Sequence, residues 1–374
     1  MRVLMVADAR SVHTRRWAAS LNDSGVGTAV YSLYPSPDDF FEVHGIRLYV
    51  FDLFTYKSNK GVRAAAGALA MHMKAVSDLK KVLRIESPDI LHAHYATSFG
   101  LIAALTGFSP FIISVWGSDV YEFPYLSRIN SKTVRFIFRK ADCVLSTSCA
   151  MAAQTRKFTD KPIQITPFGV DISLFRKFEK NGAVEGKFVI GNVKTLAPKY
   201  GIDVLIKTFR VIKDNNGSLP CKLVIIGDGP CRKEYEELAR ELGVSEDVEF
   251  VGKVPNNELP WWYNSFSVAV SLSRSESFGV VAVEAMACGC PVVVSDADGF
   301  REVVQDGITG FVVPKEEPQK AAAAIQRFID SPSLREVIGN NGIEHVKSRY
   351  SWKDCVAKMI SIYSDVRKSK GKNS

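Results

Sequence analysis

Two glutamates, Glu276 and Glu284, punctuate the stretch SLSRSESFGVVAVEAMACGCPVVV, Ser271 to Val294. Val280, Val281, Val283 and the run Glu284-Ala285-Met286-Ala287 make about two apolar helical turns, which puts Ser277, Phe278 and Gly279 at that helix's start. The unpaired N–H groups of a helix start, backed by the helix dipole, bind phosphate, and Gly279 would let a ligand come close to the backbone. Glu276 stands just before this anion site and Glu284 about two turns along it. Carboxylates accept hydrogen bonds from hydroxyls, so the arrangement suits a ligand with a diphosphate in the middle and hydroxyls at both ends.

Other candidate groups come from the first half of the chain. The turn Asp8-Ala9-Arg10 after the first apolar run is followed by Ser11, His13, Arg15 and Arg16, near the strand end where open α/β sheets bind ligands. His13 either faces that cleft or is a first-turn surface residue. His92 and His94 alternate onto one face of a strand, a spacing that resembles a metal pair, but no third ligand stands nearby. His94, at the strand's end, reads better as a cleft residue. No G-x-G-x-x-G follows the first strand, which argues against a dinucleotide oxidoreductase.

The elements that must hold these groups alternate along the chain. Strands are expected at Arg2 to Ala7, Gly27 to Leu33, Ile46 to Phe51, Asp89 to Tyr95, Phe111 to Trp116, Asp142 to Thr147 and Pro162 to Pro167. A helix capped by Ser11 and stopped at Gly25 follows the first, and a long helical stretch runs from about Gly61 to Ile85. After a polar linker, Lys177 to Gly186, a second series starts at Lys187 and continues near Lys222 to Ile226, Val248 to Val251, Ser267 to Leu272 and Pro291 to Val294. Strands alternating with helices imply parallel, doubly wound sheets in both halves. The last residues, Lys368 to Ser374, read as disordered.

Glu276, Phe278-Gly279, Glu284 and the following EAMACGCPVV resemble the signature of the retaining glycosyltransferases of family 4. The resemblance implies an α/β fold of GT-B type, with two Rossmann-like domains facing across a cleft. It implies that Glu276 contacts the hydroxyls of the donor sugar and Glu284 the ribose, while the amides at Phe278, Gly279 and Val280 bind the diphosphate. Lys194 and Lys199, in VKTLAPKYGID, keep the spacing at which the family commonly has arginine and lysine reaching the same diphosphate. Here lysine replaces the arginine and Tyr200 is inserted before Gly201. Two ammonium groups neutralise a diphosphate as point charges, without the guanidinium fork. The tight turn Gly227-Asp228-Gly229-Pro230 lines the nucleotide side by resemblance, and Gly252 and Val254 fall in the segment whose backbone recognises the base. Before Gly117-Ser118-Asp119 many family members have a histidine, where this chain has Trp116. Tryptophan stacks on a sugar or lines a cleft but transfers no proton, which leaves His94 or Asp119 to take part of that role.

Composition narrows the class further. The 374 residues suit two domains, and 46% hydrophobic with 24% charged residues is the profile of a globular protein. No signal peptide is visible, the longest apolar region, Gly100 to Trp116, is too broken to span a membrane, and seven scattered cysteines suit a reduced cytoplasm. Residues 1 to 170 carry 20 lysines and arginines against 13 acids, whereas the remainder carries 28 against 27, so nearly all of the +8 lies in the first half. Such asymmetry suggests an anionic partner. Lys132, Arg135 and Arg139 recur on one helical face, either solvated or as a membrane-surface patch. No nucleic-acid recognition signature is found. Asp296-Ala297-Asp298 spells a metal-binding D-x-D of another glycosyltransferase fold, but its context after the Pro291 strand is wrong for that use, and no metal is expected.

These observations lead to the expectation of a retaining, metal-independent hexosyltransferase with catalytic candidates Glu276, His94 and Asp119. Residues 1–170 would form an acceptor domain and 171–350 a donor domain, with a helix at about 351–368 crossing back to the first. No cofactor is expected beyond the nucleotide sugar itself, a UDP-sugar in preference to a GDP-sugar. The acceptor would be a glycan or lipid-linked, in envelope polysaccharide or lipopolysaccharide synthesis, and the enzyme cytoplasmic and peripheral on the inner membrane face. A nucleotide-sugar 2-epimerase of the same architecture, or a non-catalytic nucleotide-sugar-binding module, are the alternatives.

Overall fold

The computed structural model describes residues 1–52, 64–178, 186–217 and 219–371. Two compact units result, Met1–Pro167 with Cys355–Ser374, and Phe168–Asp354. Most of the linker expected at Lys177 to Gly186 and the start of the helical stretch at Gly61 lie outside the described residues.

The first unit is built on a seven-stranded sheet, ordered β3-β2-β1-β4-β5-β6-β7. Its strands are β1 (Arg2–Val6), β2 (Gly27–Ser32), β3 (Arg47–Val50), β4 (Ile90–His94), β5 (Phe111–Val115), β6 (Cys143–Ser146) and β7 (Ile163–Ile165), all paired in parallel. Every residue of β4 and β5 is buried, as a parallel sheet covered on both faces requires. Leu4, Val6, Leu91, Ile113 and Val115 meet Leu79, Ile102, Val134 and Ile137 from the covering helices in one core.

The second unit holds six strands, β8 (Phe188–Val193), β9 (Cys221–Ile226), β10 (Val248–Gly252), β11 (Val268–Ser271), β12 (Val292–Ser295) and β13 (Gly310–Val313). Their order is β10-β9-β8-β11-β12-β13, again parallel throughout. The strand β13 is one that the sequence reading does not name, because it is only four residues long and opens on the glycine of a turn. In each sheet the strand order reverses once, between β1 and β4 and between β8 and β11. Ligands of open α/β sheets settle at the carboxyl ends of the strands flanking such a reversal.

Two local expectations need correction. Ser11 does occupy the N-cap of the helix Val12–Asp23, but its hydroxyl makes no capping hydrogen bond; an Asx-type turn at Asp8, which accepts from the Arg10 amide at 2.9 Å, shapes the entry instead. Lys368 to Gly371 are helical, the end of the helix Trp352–Gly371, since lysines and serine continue a helix whose apolar face is already docked through Val356, Met359, Ile362 and Tyr363.

Candidate functional site

In the second unit the groups singled out from sequence converge on the β8/β11 reversal. Lys194 follows β8 directly, and Glu276 lies in the loop after β11. Lys194 Nζ is 2.6 Å from Glu276 Oε2, with the two side chains only 12% and 11% exposed. Burial acts to raise the Glu276 carboxyl, but the Lys194 ammonium and the amides of Phe278 and Ser277 outweigh it and hold it below the usual carboxylate range. The lysine also lies 4.8 Å from the centre of the Tyr200 ring, and Lys199 Nζ lies 5.8 Å from the same ring. A cavity of about 380 Å³ opens beside them, and Lys194, Tyr200, Gly227, Val254 and Val281 are among its lining residues.

The helix Val280–Ala287 begins as expected, with Gly279 at its N-cap. The fold itself supplies a reason for the glycine. Its φ of 96° is left-handed, and a Cβ there would sit 2.8 Å from Phe300 Cδ1, so the residue lets the turn form against Phe300. Phe278 is buried between Phe168 and Tyr350, which anchors the start of the helix. Glu284, 7% exposed, accepts a hydrogen bond from the Tyr263 hydroxyl at 3.0 Å. Burial first, and Glu284 second, push that phenol well above its ordinary value, so it stays a donor.

Backbone interlocking positions the lysines. Gly227 N donates to Gly252 O at 2.8 Å, Lys194 N to Ile226 O at 2.9 Å and Leu196 N to Asp228 O at 3.2 Å, joining the loops after β8, β9 and β10. Arg274 secures the other side: its amide donates to Lys199 O at 2.9 Å and its guanidinium takes Asp203 in two bonds of 2.8 and 2.9 Å. Sequence reasoning passed over Arg274, Tyr263 and Tyr200 as site residues. Arg274 lies inside the quoted signature, and Tyr200 was visible as an insertion, whereas nothing local marks Tyr263 as the partner of a glutamate on another helix.

In the first unit, the β1/β4 reversal gathers an aromatic row. Ring centres run from His13 to Trp116 at 5.9 Å, Trp116 to His94 at 4.8 Å, His94 to His92 at 4.0 Å and His92 to Tyr363 at 5.6 Å. His92 spends both ring nitrogens, one on the Tyr363 hydroxyl at 2.7 Å and one on Ser114 Oγ at 2.8 Å, leaving neither for a metal. Among the described residues no group of three His, Cys, Asp or Glu is placed to hold a metal ion. His94 is 2% exposed and neither ring nitrogen has a hydrogen-bond partner among the described residues; burial pushes its imidazole down to about 3. Burial, then the charge of Arg16, lowers His13 to about 4. Asp119 is fully buried, and its carboxylate accepts from the amides of Ala96 at 2.8 Å, Gly117 at 2.7 Å and Trp116 at 3.2 Å. Burial pushes it up to about 6 against the pull of those amides. These bonds tie the loop after β4 to the loop after β5, so Asp119 anchors the backbone beside His94 and Trp116. Ser11 is half-buried, and its backbone N–H donates to Asp8 O at 3.1 Å.

The basic helix, Arg128–Lys140, buries Val134, Ile137 and Phe138 and exposes Lys132, Arg135 and Arg139. Arg135 also donates to Lys157 O at 2.8 Å and lies over the Phe158 ring, so it is partly a structural group. Beside this basic face Leu126 and Ile129 are each 75% exposed and Tyr125 is 61% exposed, an apolar rim that charge counting alone did not reveal. Asp296, of the D-x-D string, accepts from Lys315 N at 3.1 Å, while Asp298 opens the helix Asp298–Val303.

Comparison with known proteins agrees with this geometry. Sucrose-phosphate synthase from Thermosynechococcus elongatus superposes with a TM-score of 0.82 at 20% identity, covering 99% of this chain and 100% of that one. Anabaena HepE, solved in complex with UDP, superposes at 0.80 and 20% identity over 98% of this chain and 100% of its own. Two parallel α/β sheets arranged along the chain in this way are the GT-B fold, one of the architectures of glycosyltransferases. Residues 2–148 match the family described as Glycosyl transferase 4-like and residues 175–345 match Glycosyl transferases group 1. The chain belongs to the group 1 glycosyl transferases, the retaining family 4. A protein of Methanocaldococcus jannaschii named as an uncharacterized glycosyltransferase is 28% identical over 291 residues, 77% of this chain and 78% of its own length. D-inositol 3-phosphate glycosyltransferase 2 of Catenulispora acidiphila is 34% identical over 209 residues, 52% of this chain and 49% of that protein.

Proposed function

We propose that the protein transfers a sugar, with retention, from a nucleoside diphosphate to an acceptor hydroxyl, and that the second unit binds the donor while the first receives the acceptor. The observation that carries this is the Lys194–Glu276 pair, buried at the β8/β11 reversal beside a cavity of about 380 Å³. The diphosphate takes Lys194, Lys199 and the helix start at Gly279 and Val280, Glu276 takes sugar hydroxyls, Glu284 the ribose, and the segment at Gly252 and Val254 the base. In the transfer step the bond between the sugar's anomeric carbon and the phosphate oxygen breaks, its electron pair leaving on the diphosphate. The acceptor oxygen bonds to that carbon from the same face and its proton passes to the departing phosphate. Donors placed at the leaving group supply roughly 3 to 4 kcal/mol each. Ammonium groups and backbone amides do this without a divalent cation, so activity persists in excess EDTA; complete loss restored by magnesium or manganese would remove that claim.

The reading of UDP as the nucleotide is supported by HepE, which has been solved with UDP and with UDP-glucose. Thermal shifts with UDP and GDP, then incubation with their sugars, test the assignment: transfer or slow hydrolysis is expected, an epimer would favour the isomerase, and binding without turnover the regulatory module. For the cellular setting, no helix among the described residues is long and apolar enough to cross a membrane. The exposed Lys132 and Arg139 beside Leu126 and Ile129 support a cytoplasmic enzyme that docks on an anionic inner leaflet and glycosylates a lipid-linked acceptor of envelope polysaccharide or lipopolysaccharide synthesis.

A further inference from the structure

The donor reading of the second unit, on which this inference rests, places two opposite charges of the site in contact with each other. Lys194, the cation meant for the diphosphate, is bound at 2.6 Å to Glu276, the carboxylate meant for the sugar. Both side chains are nearly enclosed, at 12% and 11% exposure. A diphosphate, which carries more charge than one carboxylate, competes with Glu276 for the Lys194 ammonium and draws it away. The carboxylate then keeps the amide of Ser277, at 3.2 Å from Oε1, but loses its counter-charge in a poorly hydrated place. A buried ion pair that loses one member is penalised, because the amides of Ser277 and Phe278 that remain do not replace the counter-charge of the ammonium.

What happens next depends on the ligand. An intact donor brings sugar hydroxyls whose O–H groups donate to Glu276 and replace the ammonium. A bare nucleoside diphosphate brings the charge that removes Lys194 and nothing that satisfies Glu276. We infer that the Lys194–Glu276 pair makes this site select the nucleotide sugar over its own spent nucleotide: Glu276 is a specificity-determining residue that opposes occupancy by the diphosphate alone and hastens its release after transfer. Tyr200, whose ring lies within 4.8 Å of the ammonium, gives Lys194 a surface to slide along between its two partners, which suits an exchange of anions better than a fixed contact.

Titration calorimetry with UDP and UDP-glucose on the wild type, Glu276→Gln and Lys194→Met tests this. Glu276→Gln removes the competing charge at nearly constant shape, so UDP should bind at least about tenfold more tightly than to the wild type, while UDP-glucose gains little or weakens. The preference for the intact donor collapses. Lys194→Met should weaken both ligands. A residue that merely supports the fold would shift both affinities together, and the ratio separates the cases. Glu276→Ala, checked for an unchanged unfolding transition, repeats the test with the carboxyl group removed altogether. The inference is overturned if the wild type binds both ligands and neither Glu276 variant lowers the ratio of their affinities. If the wild type binds neither UDP nor UDP-glucose, nor their guanosine counterparts, the donor reading fails first, an outcome visible before any variant is made.

Discussion

At the scale of single residues, two glutamates of one signature sit in different company, and their variants should differ accordingly. Glu284 is held by the neutral Tyr263 hydroxyl and Glu276 by the Lys194 ammonium. If Glu284 takes the ribose as proposed, replacing it with alanine removes that acceptor, a change of about 1.5 to 3 kcal/mol, and UDP affinity should fall roughly tenfold to a hundredfold. Glu276→Ala should instead lower turnover without loss of UDP affinity; calorimetry that found equal losses in both variants would refute the division. The two glutamates and the two lysines could be singled out because each pair stands in a string that resembles a family signature, whereas the bare spacing of two glutamates says little. Tyr263 could not, since its role depends on a helix, Leu259–Ser265, lying against Val280–Ala287, and that contact leaves no periodic trace in the sequence. Asp119 is a second case: a carboxylate in a recognisable turn invites a catalytic reading, and only the folded chain shows the three backbone amides that converge on it.

At the scale of elements, strands that run buried on both faces were readable as apolar runs, which is why β1, β4, β5 and β12 could be placed from sequence. The short β13 escaped because a four-residue run beginning at a glycine carries too little pattern to be distinguished from the turn before it. The helix Arg128–Lys140 was also legible, and its apolar rim was not: Leu126 precedes the helix, and Ile129 is the kind of residue a pattern assigns to a core. Together they sharpen the membrane test. Each cation near an anionic surface is worth about 1 kcal/mol, so Lys132→Ala with Arg139→Ala should weaken binding to phosphatidylserine-containing vesicles roughly thirtyfold at low salt, and less in high salt, where both charges are screened. Leu126→Ser with Ile129→Ser should weaken it without changing that salt dependence, since only the inserted apolar part is lost. Sedimentation in which the four substitutions together leave binding unaltered would show that this face does not dock.

At the scale of the whole molecule, the first unit is the one whose stability should answer to mild acid. Its buried histidines are held neutral, His94 with a value of about 3 and His92 well below the ordinary range, whereas both recover a value near 6.5 when the chain unfolds. At these two histidines the unfolded state then binds more protons, so their contribution to stability is complete above about pH 6.5 and declines as the pH falls towards the folded values; Asp119, pushed up to about 6, acts in the opposite sense and offsets part of that loss. At pH 5 His94 alone should cost about 2 kcal/mol, measurable as an acid limb in urea unfolding that flattens in His94→Gln. Tyr363→Phe should likewise destabilise by about 1 to 3 kcal/mol, because it strands a buried His92 nitrogen. If its unfolding midpoint matches the wild type, the contact is idle. That tyrosine belongs to the helix Trp352–Gly371, of which Cys355 onwards is part of the first unit although residues 168–354 intervene. During synthesis the ribosome therefore delivers every residue of the second unit before it delivers the segment that finishes the first. Until the codons of that helix have been read, the nascent first sheet lacks the hydroxyl that partners His92, and a premature stop within the helix would damage the half of the protein that was translated earliest.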